Sequence, residues 1–263
     1  MAAGRPAGCP EELVALANHL ADTAGAIIRP YFRTRLHVIG KEDASPVTIA
    51  DREAESAMRA AIAREYPAHG ILGEEYGPER TNAEYVWVLD PIDGTKSFIS
   101  GMPLFGTLIA LMHRGRPVLG VIDQPVLRER WVGAVGQPTT FCGQEAHTRA
   151  CASAAEATLY STAPDMFKGA DAVRYERLRK AVKLSRFGSD CYGYGQVASG
   201  HIDAVVEASL KPYDYLAQVP IIEGAGGLLT DWQGKALGLR SDGRVAACGD
   251  KQLHKDVLLL LAG

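Results

Sequence analysis

Asp90 and Asp93 stand three residues apart in the stretch Val86-Trp-Val-Leu-Asp-Pro-Ile-Asp-Gly-Thr95. Two carboxylates beside a glycine suit a hard cation, which takes oxygen ligands. The N–H groups that a glycine turn or a helix start leaves open suit a phosphate. The same residues also fit a strand closed by an Asp/Gly turn, and alone they do not decide between the two. More carboxylates follow this double reading. Glu74, in Gly73-Glu74-Glu75, is either a solvated loop acid or a third carboxylate aimed at the pocket of Asp90 and Asp93. Asp51, or Thr48, caps the helix expected over 52–66, or Asp51 orients a hydroxyl or a coordinated water. Asp190 lies in Arg186-Phe-Gly-Ser-Asp-Cys-Tyr-Gly-Tyr-Gly195. It caps the next helix or faces a ligand, where the glycines let backbone approach and Tyr192 and Tyr194 add flat surfaces. Glu207 ends a strand expected over 201–207. Asp214 sits where an N-cap would open a helical segment over 215–225. His113 and His147 are single histidines in or near turns, and no chemistry is assigned to them.

These side chains need a scaffold. Residues 11–32 place Leu13, Leu16, Ala17, Leu20, Ala24 and Ile27 on one helix face, with a break expected near Pro30. Val86-Trp-Val-Leu89 reads as the strand that carries Asp90. From Phe105 to about Arg149, short β-rich runs broken by turns imply a largely antiparallel sheet with no chemistry of its own. A short helix or turn and then a strand are expected over 154–162, a basic helix with a solvated face over 175–184, and a helix over 194–199. Pro220 is expected to kink the segment 215–225, and Gly226-Gly227 to stop it. A hairpin over 228–238, turning near Gln233-Gly234, and an amphipathic helix capped by Asp250 complete the chain.

The 263 residues can bury a sizeable core, as one large domain or two intimate halves. A net charge of −3 argues against a general nucleic-acid binder, which would be basic. Five scattered cysteines with no CxxC read as reduced thiols of a cytoplasmic protein, without a disulfide framework or a zinc knuckle. The opening residues show no apolar core of a signal peptide. The longest apolar run, Val257 to Ala262, is far below the roughly 18 residues that suggest a membrane span, and reads as a buried helix end.

Taken together, Gly73-Glu74-Glu75, Asp90-Pro-Ile-Asp-Gly-Thr95, and Asp214 with Glu223-Gly-Ala-Gly-Gly227 resemble the inositol monophosphatase superfamily of metal-dependent phosphatases. Val47-Thr-Ile-Ala-Asp51 fits as well, and the resemblance covers nearly the whole chain. It implies a mixed α and β fold, a layered αβαβα sandwich, in two halves that form one compact unit. Residues 1–150 would carry the antiparallel sheet and the first metal ligands, and residues 151–263 would carry Asp214 and the specificity residues. It also implies a cytoplasmic homodimer that hydrolyses small phosphate monoesters with two or three Mg²⁺ per site, with no nucleic-acid or membrane partner. Glu74, Asp90, Asp93 and Asp214 would be side-chain metal ligands and Ile92 a backbone-carbonyl ligand. Asp93, Gly94 and Thr95 would form the phosphate position, through the N–H groups of Gly94 and Thr95. The Thr95 hydroxyl, hydrogen-bonded toward Asp51, and Glu74 would activate the attacking water. Four clustered carboxylates carry about −4, which roughly two divalent cations balance.

Within the superfamily, three features look like the histidinol-phosphate phosphatase branch, which serves histidine biosynthesis. Pro212-Tyr-Asp-Tyr215 stands where inositol enzymes usually have Trp-Asp. Asp190 stands where they tend to have a small neutral residue. Asp93-Gly-Thr-Lys-Ser-Phe-Ile99 is the third. Histidinol phosphate carries an ammonium group, and a carboxylate partner would make a charge-assisted bond with it. Asp190 and Glu207, with Ser189 beside them, would therefore contact substrate. Glu207 precedes Asp214 by seven residues, matching a position that meets substrate hydroxyls in inositol enzymes, so Asp190 discriminates better. The alternatives are an inositol or broad sugar monophosphatase and a non-catalytic metal- or phosphate-binding scaffold. The intact set of Glu74, Asp90, Asp93, Thr95 and Asp214 speaks against the scaffold. A 3′-phosphonucleotide phosphatase would want a basic cluster that the chain does not show.

Overall fold

The computed structural model describes residues 8–34, 39–40, 46–47 and 49–263. Thr48, one of the two candidate helix caps, lies outside the described residues, as do residues 1–7 of the opening stretch 1–13 on which the signal-peptide expectation rests.

Helix α1 (Glu11–Ile28) buries Leu13, Leu16, Leu20 and Ala24 on one face, and Pro30 falls in a 3₁₀ turn, Arg29–Tyr31, that ends it. A short antiparallel pair, β1 (Ile39–Gly40) and β2 (Pro46–Val47), precedes α2 (Ile49–Glu65). Then follow β3 (Gly70–Gly73), β4 (Gly77–Glu79), β5 (Tyr85–Asp93), α3 (Thr95–Ile99), β6 (Gly106–His113), β7 (Arg116–Gln124), β8 (Glu129–Ala134), β9 (Thr140–Phe141) and β10 (Gln144–Glu145). They build an eight-stranded sheet ordered β10-β9-β8-β7-β6-β5-β3-β4. Its pairs are antiparallel except β3 with β5, which run parallel. The second half supplies β11 (Thr158–Ser161), α4 (Ala170–Ala181), β12 (Leu184–Phe187), α5 (Tyr192–Ala198), β13 (Ala204–Glu207), α6 (Pro212–Tyr215), α7 (Gln218–Gly224), β14 (Leu228–Thr230), β15 (Val245–Cys248) and α8 (Lys251–Ala262). Its five strands are ordered β12-β11-β13-β15-β14.

Both faces of the larger sheet are covered, so its central strands are apolar throughout rather than alternating. Trp87 and Leu89 of β5 face α1 and α2, while Val86 and Val88 face the opposite core with α5, α6 and α7. That middle core also takes Val205, Val245 and Ala247 from the smaller sheet. The far side of the smaller sheet packs Ala204, Val206 and Ala246 against Leu178 of α4 and Leu253, Val257 and Leu261 of α8. The order of layers is helix, sheet, helix, sheet, helix, the αβαβα sandwich expected from the sequence.

Several elements differ from expectation. The segment 215–225 is not one kinked helix but two, α6 and α7. Pro220 is the third residue of α7, where its missing N–H has no intrahelical acceptor to lose. Asp214 lies inside α6 rather than at its N-cap, which is Lys211. Helix α4 starts at Ala170 and ends at Ala181, and Tyr175 and Leu178 bury one side of it. No hairpin spans 228–238: β14 pairs with β15 instead. Asp231 does close a turn there, accepting from the Gln233 and Lys235 N–H groups (2.8 Å each). The apolar residues beyond it, Leu237 and Leu239, pack into the middle core, so no return strand forms. Asp250 caps α8 as expected, accepting from Gln252 N–H (2.7 Å). Among the described residues, no helix is long and apolar enough to cross a membrane.

Candidate metal and phosphate site

Residues three apart on a regular strand face opposite sides of the sheet. Asp90 and Asp93 escape this rule because β5 is irregular between them. The pairing with β6 runs Leu89↔Ile109 and Asp90↔Leu108, then jumps to Asp93↔Gly106. One extra residue is thus inserted on β5, as in a β-bulge, which turns Asp93 to the side of Asp90. Pro91 sits in the bulge, where an absent N–H costs no ladder bond. Its carbonyl is met by the buried Thr107 hydroxyl (2.7 Å). Carboxylate oxygens of Asp90, Asp93 and Asp214 all lie within 4.8 Å of one another.

Other elements complete the cluster. The parallel pairing of β3 with β5 continues one residue further through Glu74 N–H, which donates to the Leu89 carbonyl (3.1 Å), so Glu74 arrives beside Asp90. Asp214 Oδ2 accepts from Lys211 N–H (2.7 Å), and Asp93 Oδ2 accepts from Cys191 N–H (2.7 Å). Each of these bonds pins one carboxylate oxygen and so sets the direction of the other. Gly94 adopts φ 85°, ψ 41° and starts α3. A Cβ there would lie 2.9 Å from both Cβ and Cγ of Asp190, so the close approach of the two loops needs glycine. The Thr95 hydroxyl donates to the Ile92 carbonyl (3.2 Å).

The electrostatics are those of a cluster short of positive charge. Burial first, then the charges of Glu74, Asp93, Asp214 and Asp51, push the Asp90 carboxyl well above the usual range. Asp93 is driven up by burial and by Asp214 and Asp190. Asp214 is pushed up to about 7, chiefly by burial, with Lys211 N–H opposing and Glu74 and Glu207 adding repulsion. Asp90 is 2% exposed, and its Oδ1 has no hydrogen-bond partner among the described residues. A buried carboxylate oxygen left in that state is costly. An all-oxygen donor set of this kind fits a hard divalent cation such as Mg²⁺, and does not fit a soft metal.

The cleft over the cluster has a volume of about 450 Å³. It is lined by Glu74, Asp90, Ile92, Asp93, Gly94, Thr95, Asp190, Glu207 and Asp214, nine of the residues singled out in the sequence. Asp51 and Ser189 are buried beside it rather than on its wall. Asp190 does not cap α5: its Oδ2 accepts from the Ser97 hydroxyl (2.5 Å), and its backbone takes φ 44°. A non-glycine residue in that region is strained, and such strain gathers at functional sites. Burial raises the Asp190 carboxyl, against Ser97 and Lys96. Glu207 is held by Thr162 N–H (2.7 Å) and the Tyr194 hydroxyl (2.8 Å), and burial raises it too.

Four further lining residues carry polar groups that sequence reasoning did not select: Lys96, Thr162, Cys191 and Gln218. Lys96 could have been found as the cation of the Asp-Gly-Thr-Lys block. Gln218 could not, because nothing local distinguishes it. It is fully buried, and its amide nitrogen and oxygen have no hydrogen-bond partner among the described residues.

Comparison with known proteins bears on this geometry. The model of the inositol monophosphatase family matches residues 10–261. A curated relative, the chloroplastic bifunctional phosphatase IMPL2 of Arabidopsis thaliana, is 48% identical over 257 residues, covering 94% of this chain and 74% of that protein. The histidinol-phosphatase of Chlorobaculum parvum is 37% identical over 234 residues, covering 88% of this chain and 90% of that protein. The solved structure of an inositol monophosphatase from Zymomonas mobilis superposes with a TM-score of 0.89 at 49% identity, covering 95% of this chain and 98% of that one.

Proposed function

The chain belongs to the inositol monophosphatase family, and from that premise we propose that it is a Mg²⁺-dependent histidinol-phosphate phosphatase, converting L-histidinol phosphate and water to L-histidinol and phosphate. Membership supports a metal-dependent phosphomonoesterase acting on a small phosphate ester. The substrate rests on one observation: Asp190 presents a buried, strained carboxylate on the wall of the same cleft as the acidic cluster. The relative named histidinol-phosphatase supports it.

Charge carries the reasoning. Six carboxylates and one lysine line the cleft. A phosphate dianion enters such a site only with cations. Glu74, Asp90, Asp93, Asp214 and the Ile92 carbonyl would hold two or three Mg²⁺. When bound, Mg²⁺ offsets the charge on the phosphate and lowers the pKa of its water toward neutrality. The N–H groups of Gly94 and Thr95, beside Asp93, hold the phosphate oxygens. Glu74 and the Thr95 hydroxyl receive the proton of the attacking water; the hydroxyl is held by the Ile92 carbonyl (3.2 Å) rather than by Asp51, the partner expected from the sequence. The substrate ammonium meets Asp190, with Glu207 lining that end and Ser189, buried behind the wall, supporting it rather than contacting substrate as the sequence suggested. Phosphoryl transfer needs mainly positioning and charge stabilisation, and these residues supply both. The setting is a cytoplasmic homodimer serving histidine biosynthesis.

Comparing kcat/KM for histidinol phosphate and inositol 1-phosphate tests this reading. A preference of at least tenfold for histidinol phosphate is expected. Equal values would make the chain an inositol or broad sugar monophosphatase.

A further inference from the structure

Glu55 lies in the middle of α2, one helical turn beyond Asp51, and is fully buried. A buried carboxylate must be paired or hydrogen-bonded, and this one is closely occupied. Its Oε2 accepts from Glu75 N–H (2.7 Å). Its Oε1 accepts from Tyr76 N–H (3.2 Å) and from Arg59 Nε (2.7 Å). Arg59 reaches on to the Gly77 carbonyl, so the pair grips the loop from both sides. The strand backbone comes very close: a Cβ on Gly73 would sit 1.9 Å from Glu55 Oε1, against a fully buried group with no room to retreat.

These bonds bracket Glu74. Its own N–H is held by the Leu89 carbonyl, and the next amide, Glu75 N–H, is held by Glu55. The peptide planes on both sides of Glu74 are therefore fixed, and with them the direction in which its side chain leaves the backbone. We propose that Glu55 is a positioning residue that aims Glu74 into the acidic cluster and thereby sets the affinity of the site for Mg²⁺. This rests on the metal-site reading of Glu74. Groups that orient a ligand without touching the metal commonly alter affinity by about 10- to 100-fold when lost. Glutamine at position 55 would keep the shape but turn an NH₂ donor toward donors.

Calorimetric Mg²⁺ titration of the full chain tests the proposal. Glu55→Gln is expected to weaken Mg²⁺ binding about 10- to 100-fold. In the double variant with Glu74→Gln it should add little to the loss from Glu74→Gln alone, because it acts through Glu74. Asp203→Asn, which disrupts the half-buried pair with Arg149 just ahead of β13, controls for plain structural damage. It should lower the melting temperature and leave Mg²⁺ affinity unchanged. Wild-type affinity in Glu55→Gln, or full additivity in the double variant, would overturn the role of Glu55 and leave the metal site standing. If the wild type binds no Mg²⁺, both readings fall. Should Glu55→Gln not fold, Arg59→Lys carries the test, since an ammonium cannot span Glu55 and Gly77 in the same geometry. It is then expected to weaken Mg²⁺ several-fold, and unchanged affinity would overturn the proposal.

Discussion

Asp90 Oδ1 is a buried carboxylate oxygen with no hydrogen-bond donor among the described residues, beside other acids whose charges raise the group. Without metal the folded protein favours the protonated form of this carboxyl far more than an ordinary aspartate does. Asp90→Asn should then leave the melting temperature measured in EDTA within a few degrees of wild type. The same variant should abolish the response to Mg²⁺ and lower kcat/KM by about 10³-fold, roughly 4 kcal/mol of lost transition-state stabilisation. Thermal melts in EDTA and in Mg²⁺, with steady-state assays, check both halves. At the substrate end, a charge-assisted hydrogen bond contributes about 1.5–3 kcal/mol, or about 10- to 100-fold. Asp190→Asn should raise KM for histidinol phosphate by that factor and hardly change it for inositol 1-phosphate. Equal effects on both esters would remove Asp190 from ammonium recognition. Sequence made these residues visible because they stand in short motifs whose order along the chain resembles one family. It left Gln218 and Glu55 unseen, since their meaning comes from burial and from partners distant in sequence.

At the scale of elements, the bulge in β5 decides the chemistry. A run of four apolar residues before Asp90 announces a strand, and Pro91 announces an irregularity, but not which way Asp93 turns. That depends on β6 pairing Asp93 with Gly106. The hairpin over 228–238 fails for a similar reason: its turn forms, yet Leu237 and Leu239 go to the middle core and β14 takes β15 as partner. Local signals marked the break at Pro30 and the cap at Asp250, but not the roles of Asp51, Asp190 and Asp214. Asp51 and Asp214 lie inside α2 and α6, and Asp190 does not cap α5. Strand partners are settled by packing. Gly94→Ala probes the site at this scale. Alanine must adopt φ 85° and place its Cβ 2.9 Å from the Asp190 side chain. A residue held in such a conformation costs on the order of 1–3 kcal/mol. Chemical denaturation should show that loss, and kinetics should show a raised KM from displacement of Asp190. A variant as stable and active as wild type would mean that the two loops are not tightly coupled.

Across the whole molecule, helix and sheet layers bring β3, β5, α3, α5 and α6 to one cleft from both halves of the chain. The layered fold was legible because the motifs resemble one family over nearly the whole length. The depth of the shared middle core was not, because it mixes residues from both sheets. The acidic cluster makes stability depend on pH in a definite direction. Asp90, Asp93 and Asp214 are raised in the folded state, Asp214 to about 7. They therefore contribute stability that is complete below the ordinary aspartate pKa of about 4 and is lost as pH climbs through their folded values. Bound Mg²⁺ requires them ionised, so its affinity grows over the same range. The gap between melting temperatures in Mg²⁺ and in EDTA should widen from pH 5 to pH 8. Mg²⁺ at 100 times its Kd stabilises by about 2.7 kcal/mol, or roughly 5–10 °C for a chain of this size. A gap that is constant or shrinks with pH would place Mg²⁺ elsewhere than on these carboxylates.

The central claim is that the carboxylate cluster hydrolyses a phosphate ester only when Mg²⁺ is supplied. Phosphate release from histidinol phosphate, measured in excess Mg²⁺ and again in EDTA, addresses it most directly. The expected result is steady turnover with Mg²⁺, none with EDTA, and about a thousandfold less with Mg²⁺ in Asp90→Asn. Undiminished release in EDTA, or no release from histidinol phosphate or inositol 1-phosphate under either condition, would contradict it.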